Sequence, residues 1–457
     1  MVSGRDLLSF LAPAAATINK NAVSVVDSIV PQGPPAAIGT AARRYALALL
    51  VVVYTFNFID RQILAILLPA IQAEFRINDS VLGFLAGSAF ALFYATLGVP
   101  IALLADRWNR RNLIAIAVAV WSGMTALSGA AANVLQLALA RIGVGVGEAG
   151  CSPPAHSMIS DMYPPAQRST AMGVFTLGIS AGIMIAYLAG GWVAENIGWR
   201  EAFFIVGVPG LIVALLVRFT IREPVRGQSE GRADTAERPG IVAVAKFLLG
   251  RRSFLHLAVG SGLAAFGGYA VISFFPTFLY RSHAMNLSEI GVYLGFIVGI
   301  AGGLGFAGGG WVADRLGRRS QKYALWGVSV ATIAGWLFLI PVYAVGNPYV
   351  ALAFFVVPTV LSNFYLATTF AQIQGLVKLR MRAVASALLL FILNIIGLGL
   401  GPQLTGILSD LLVPSLGTES MRYSLLIVAC VVSPWAAWHY FAAGRHIEGD
   451  LVRVDES

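Results

Sequence analysis

Four charged residues stand in the middle of long apolar runs: Asp60 and Arg61 in one, Arg141 and Glu148 in another. Where such a run lies out of water, a charge at mid-helix costs at least ~2.5–3.5 kcal/mol, so it persists only if it is paired, wetted or used. Read as a helix, Arg141, Gly145 and Glu148 are spaced i, i+4, i+7 and share one face. Tyr54, Asn57 and either Asp60 or Arg61 make a similar stripe. Asp60 and Arg61 are chain neighbours and project about 100° apart, so they do not pair with each other. Two chemistries suit this set. Two carboxylates beside one guanidinium are hard to ionise together, so Asp60 or Glu148 can exchange a proton. Arg61 and Arg141 can instead capture an anionic group. A permanently ionised network that only ties helices together would use the same residues.

Other chemistries find little support. Gly145, Gly147 and Gly150 spell GxGxxG, but inside an apolar run with no strand before it, where glycines serve close helix packing. The sequence has no GxxxxGK[ST] phosphate loop, which removes ATP-driven pumping. The histidines (156, 256, 283, 439, 446) show no metal-ligand spacing, although His156 lies on a face similar to that of Glu148. Cys151 and Cys430 stand alone in apolar stretches and read as packing residues. Neither a metal nor a cofactor is expected, and the chain does not read as an enzyme.

The elements that hold these residues are set by hydropathy. Of 457 residues, 58% are hydrophobic and only 12% charged, half the share that covers a soluble globule. A helix needs about 20 apolar residues to cross a bilayer. That window finds twelve spans: 45–73, 80–105, 113–132, 134–160, 168–193, 201–221, 252–280, 289–313, 322–344, 348–377, 382–411 and 420–443. The one long connection, 222–251, begins REPVRGQSEGRADTAERPG and reads as a charged cytoplasmic linker between two six-helix bundles, 45–221 and 252–443. Residues 1–44 and 444–457 read as cytoplasmic tails. With both termini inside, 25 of the 31 Lys and Arg face the cytoplasm and four (Arg76, Arg200, Arg281, Arg422) face away. That bias predicts orientation in a cell (inner) membrane and accounts for the net charge of +9 without nucleic acid.

The halves repeat. Segment 83–111, GFLAGSAFALFYATLGVPIALLADRWNRR, aligns without a gap on 291–319, GVYLGFIVGIAGGLGFAGGGWVADRLGRR, at an offset of 208. Asp106 matches Asp314, Arg110 matches Arg318, and Pro69 falls near Pro276. Duplicated bundles put a substrate site at their interface near mid-membrane.

GGGWVADRLGRR at 308–319 closely resembles the loop between helices 8 and 9 of the major facilitator superfamily. ADRWNRR at 105–111 is a looser copy, with Ala102 and Asn109 in place of motif glycines. Arg141 with Gly145, and GWREAFF at 198–204, resemble the family's helix 4 and its link into helix 6. Within the superfamily the chain is most similar to the spinster lipid transporters, in a bacterial-type form, through NFIDR (57–61), LPAIQAEF (68–75), RIGVGVGEAG (141–150) and MRAVASALLLFILNIIGLGLGPQLTGILSD (381–410). The antiporter pattern of helix 5 is incomplete, with Ala186 and Tyr187 where Gly-Pro would stand.

The resemblance implies an all-α integral membrane fold of twelve transmembrane helices in two pseudo-symmetric six-helix bundles, acting as a monomer by alternating access. Because the family packs helices 1 and 4 together, Asp60, Arg141 and Glu148 are expected in one polar cluster, with Arg61 beside it. Tyr54 and Asn57 in the first half, and Tyr365, Thr369, Gln372 and Asn394 in the second, are the expected cavity residues. One charged wall and one apolar wall suit an amphiphile, in keeping with the lysophospholipid or sphingolipid class that the resemblance implies. Protons are the expected coupling partner through Asp60 or Glu148. The alternative is a symporter or exporter of small organic anions or drugs. By the same resemblance Asp106, Arg107, Arg110, Gly310, Asp314, Arg315 and Arg318 form a cytoplasmic gate, in which a carboxylate at a helix end pairs with arginines and a neighbouring helix N-terminus.

Overall fold

The computed structural model describes residues 39–226, 240–378 and 381–455, and all regular structure among them is helical. The first half comprises α1 (Thr40–Phe75), α2 (Asp79–Gly83), α3 (Ala89–Arg107), α4 (Arg110–Gly129), α5 (Val134–Glu148), α6 (Ser152–Met162), α7 (Pro165–Asn196) and α8 (Trp199–Thr220). A short helix, α9 (Ile241–Leu249), precedes the second half: α10 (Arg252–His283), α11 (Leu287–Phe296), α12 (Gly302–Gly317), α13 (Gln321–Ala344), α14 (Pro348–Leu361), α15 (Phe364–Gly375), α16 (Arg382–Ile392), α17 (Gly401–Leu416) and α18 (Ser420–Asp455).

Several of these pieces join into single crossings. π-helical turns at Phe84–Ser88, Ile297–Ala301 and Leu393–Leu400 link α2 to α3, α11 to α12 and α16 to α17. Eleven described stretches are long and apolar enough to cross a membrane, and the last, Val384–Arg453, is 70 residues long. At 1.5 Å per residue that is about 105 Å, far more than one crossing needs. The chain turns back in it at Gly417, which takes φ 55°, so the stretch makes two crossings and the total is twelve.

The duplication is visible at helix starts. Asn78 caps α2 by accepting the N–H of Val81, and Asn286, 208 residues on, caps α11 by accepting the N–H of Glu289. Such caps satisfy amides that have no partner within their own helix.

Packing distinguishes the two ends of the molecule. At the end bearing Arg76, Arg200, Arg281 and Arg422, one apolar core runs through both halves: Ile63, Ile66 and Leu67 of α1 and Tyr187 of α7 meet Phe275 and Phe278 of α10 and Ile290 and Leu294 of α11. At the other end, which carries most of the basic residues, the cores are separate. Leu50, Trp121, Met158 and Val217 pack in the first half, and Leu257, Leu325, Ile373 and Tyr440 in the second. Among the described residues, only Leu398 and Tyr269 of the second half reach into the first-half cluster. The halves therefore share one apolar core at one end and keep separate cores at the basic end.

Two segments depart from the expected loops. The end of the 222–251 connection is the helix α9, whose Val244 and Leu248 are fully buried against the second half. α18 continues well past residue 443, and Asp450 on it is buried, accepting the backbone N–H of Ser253 at 2.9 Å and its hydroxyl at 2.7 Å. An apolar side chain every three to four residues lets each segment dock instead of fraying into solvent.

Candidate functional site

The first crossing carries Asn57, Asp60 and Arg61 on one side, fully or largely buried. The fourth crossing breaks beside them. Glu148 is the last residue of α5, a three-residue turn follows, and Pro153 and Pro154 open α6, where a missing N–H leaves no bond unmade. A helix broken at mid-membrane is a common way to build a polar site in a transporter.

Glu148 accepts two hydrogen bonds from Arg61, from Nη2 at 2.6 Å and from Nε at 3.1 Å. The Arg61 guanidinium is also enclosed by rings, 4.8 Å from the centroid of Tyr94, 5.0 Å from Phe90 and 5.2 Å from Phe58. Arg141 donates from Nη1 to the backbone carbonyl of Asp60 at 3.3 Å and lies 5.6 Å from the Phe90 ring. The Asp60 carboxylate is fully buried, with neither oxygen in a hydrogen bond. The Trp121 indole and the Thr125 hydroxyl of α4 neighbour it, as do Glu148 and Arg141.

Asp60, Arg61, Arg141 and Glu148 thus lie together, in a pairing other than the expected one. Arg61, not Arg141, is the partner of Glu148. The one hydrogen bond that Arg141 makes in this cluster goes to the backbone of Asp60, and Arg61 alone bonds the Glu148 carboxylate.

A small cavity lies between the halves. Arg61, Gln62, Phe90 and Arg141 line it from the first half, and Tyr269, Ser273 and Leu398 from the second. Both arginines therefore present to one space. Gln62, Phe90, Tyr269 and Ser273 were missed in the sequence, though one signal was available: Tyr269 is the repeat mate of Arg61, 208 residues on.

The residues expected to complete the cavity behave otherwise. Tyr54 stacks on Phe175, with centroids 4.2 Å apart and planes at 14°, and Asn57 sits beside Glu148. Neither lines the cavity between the arginines. In the second half, Thr369 is 2.8 Å from the Tyr440 hydroxyl and also donates to the carbonyl of Tyr365. Gln372 donates to Gln321 at 2.6 Å, and Asn394 donates to the carbonyl of Leu390 in its own helix. Tyr365, Thr369, Gln372 and Asn394 are thus absent from the cavity lining, because the polar faces of α15 and of the Leu393–Leu400 turn are satisfied within their own bundle.

Among the described residues, those expected at the gate are likewise not brought together. Asp314, Arg315 and Arg318 are exposed and, among the described residues, make no ion pair; Gly310 has open space around it. The side chains of Asp106 and Arg107 lie outside the described residues. Arg110 is buried, but its bonds stay within the first half: Glu223 and Ser157 at 2.8 Å, the carbonyl of Pro224 at 2.8 Å, and a close contact with Asp161. It clamps α4 to α6 and to the segment after α8. Arg110→Ala would leave Asp161 and Glu223 without their shared cation. The expected cost is roughly 3 kcal/mol, at the low end for a broken buried pair because both acids are partly exposed. Thermal unfolding in detergent measures it; an unchanged midpoint would reduce the clamp to a surface contact.

The halves are instead held at the opposite end. Asp79, at the start of α2, accepts from Arg281 at the end of α10 and from the Ser409 hydroxyl of α17 at 2.6 Å, while Gln72 donates to it at 3.0 Å. Arg281 entered the sequence analysis only as one of four arginines facing away from the cytoplasm.

Residues 50–402 match the Major Facilitator Superfamily. An MFS-type efflux pump of Mycolicibacterium smegmatis is 32% identical over 411 residues, covering 89% of this chain and 94% of the relative. Protein spinster homolog 1 of Xenopus tropicalis is 27% identical, covering 90% of this chain and 83% of its own length. Among solved structures, a bacterial homolog to the human lysosomal transporter Spinster, in an inward-facing and unoccupied conformation, superposes with a TM-score of 0.84 at 31% identity, covering 90% of this chain and 99% of that one.

Proposed function

We propose that this chain, which belongs to the major facilitator superfamily of membrane transporters and is of the spinster type, moves an amphiphilic, lipid-like molecule by rocking its two halves about the central cavity. The observation that carries this reading is the lining of that cavity. Two guanidiniums stand on the first-half wall, while Tyr269 and Leu398 close it from the second. An anionic headgroup would pair with the arginines, and an acyl chain would lie along the second-half wall once the halves part and widen this small cavity. Arg61 is already held by Glu148, so an incoming anion competes for it. Binding and release of the Arg61–Glu148 pair would thereby be linked.

Asp60 is the proton site of this proposal. A charge buried without a partner is costly, and neither oxygen of its carboxylate has a hydrogen bond, whereas one oxygen of Glu148 is held by Arg61. The neutral, protonated form suits it when the cavity is dry, and water entering the cavity would let the proton leave. The Lys and Arg bias supports a cytoplasmic basic end in a bacterial inner membrane. The likeness to an inward-facing spinster homolog then fits the parted cores at that end.

The test is uptake of a labelled lysophospholipid into proteoliposomes, with a pH gradient and with it collapsed. Uptake driven by the gradient supports lipid transport and proton coupling together. No lipid uptake beside active transport of a small carboxylate would assign Arg61 and Arg141 to small organic anions instead.

A further inference from the structure

The end at which the halves meet is fastened by two carboxylates that the central cluster does not use. Asp410 of α17 accepts the backbone N–H groups of Asp79 at 2.9 Å and Ser80 at 2.8 Å, at the start of α2. Glu195 of α7 accepts the N–H of Leu287 at 3.0 Å, at the start of α11. α2 and α7 belong to the first half, α11 and α17 to the second, so each carboxylate reaches across the interface in the opposite sense.

The two contacts are copies of one another. Asp79 and Leu287 are 208 residues apart, the offset of the internal repeat, and Glu195 and Asp410 are 215 apart. One turn before each carboxylate stands a glycine. Gly191 lies against the backbone carbonyl of Leu287, and Gly406 against that of Asp79, so closely that a Cβ on either would collide. The glycine brings the helices together and the carboxylate one turn on meets the exposed amides. Those amides have no partner within their own helix and carry the positive end of its dipole, so the bond is charge-assisted.

We propose that Glu195 and Asp410 are paired latches that hold this end shut, and that both must let go for the halves to rock. Each is a positioning residue, acting through the helix whose first amides it holds. The latches are unequal. Asp410 takes two amides, and Asp79 beside it is tied to Arg281 and Ser409. Glu195 takes one amide, and its neighbour Asn196 reaches Ser288 only at 3.4 Å. The Asp410 latch is the stronger.

The inference rests on the rocking of two halves proposed above, and amide exchange by mass spectrometry on the full chain tests it. Asp410→Asn and Glu195→Gln keep the shape and remove the charge; Glu195→Gln, at the weaker latch, carries the test if Asp410→Asn yields no folded protein. Each variant is expected to speed exchange roughly tenfold, the factor for losing a charge-assisted bond, in both 79–88 and 287–296, including the helix whose own latch is intact. Exchange in 314–320 at the basic end should slow, because closing that end is the other half of the same motion. Faster exchange confined to the helix that lost its acceptor, or no change, overturns the latch and leaves a local cap. Loosening of both latched segments without protection at the basic end keeps the latch and removes the rocking.

Discussion

Glu148→Gln is expected to lower transport by at least two orders of magnitude and to destabilise the protein as well. Arg61 is largely buried beside three aromatic rings, and Glu148 is its only anionic partner among the described residues. Removing one partner of a buried pair leaves the other uncompensated, at a cost of about 3–5 kcal/mol. Lost transport alone would not separate a binding role from a strut, so the decisive variant is Arg61→Gln with Glu148→Gln. With both charges gone no buried ion is stranded, and the unfolding temperature should return close to that of the parent. Transport should not return, because the cavity has lost one of its two guanidiniums. A double variant that recovers both stability and uptake would mean that the pair only ties α1 to α5.

The second large effect is expected at Asp60. In the proposed cycle Asp60 carries the proton, and Asp60→Asn fixes the neutral form. A gradient of one pH unit is worth about 1.4 kcal/mol per proton, or tenfold accumulation for one proton per substrate. The variant should lose that accumulation while still exchanging substrate across the membrane at equal pH. Its rate should also no longer vary with pH. Stability gives an independent reading of the same site. If Asp60 is neutral in this buried position, the amide replaces it at little cost. A permanently ionised Asp60 held near Arg141 would make the same change clearly destabilising, and pH-driven uptake would survive it. The sign is fixed by the chemistry: protonation favours the dry, closed cluster, so lowering pH on the side facing the cavity should load Asp60, and raising it should empty the site.

Glu148 and Asp60, either of which the sequence offers as the proton site, are held differently. Arg61 gives Glu148 two hydrogen bonds, both to one oxygen, whereas Arg141 hydrogen-bonds Asp60 at its backbone carbonyl and not at its carboxylate.

What the sequence alone determined is what depends on local composition and period. Apolar runs of about 20 residues located all twelve crossings. The gap-free alignment of 83–111 on 291–319 identified the two halves. Mid-span placement singled out Asp60, Arg61, Arg141 and Glu148, because a charge in an apolar run is conspicuous whatever it touches. Hydropathy and helical period repeat along one axis, however, and carry no information on how far one helix is slid or turned against another. Only the tertiary structure decided that Glu148 takes Arg61, that Tyr269 rather than Tyr365 faces the arginines, and that Thr369 and Gln372 bond within their own bundle. It also decided which end is shut. Asp79, Glu195, Arg281 and Asp410 read as ordinary charges at helix ends, since their partners lie some ninety to more than three hundred residues away and meet only when the halves pack together.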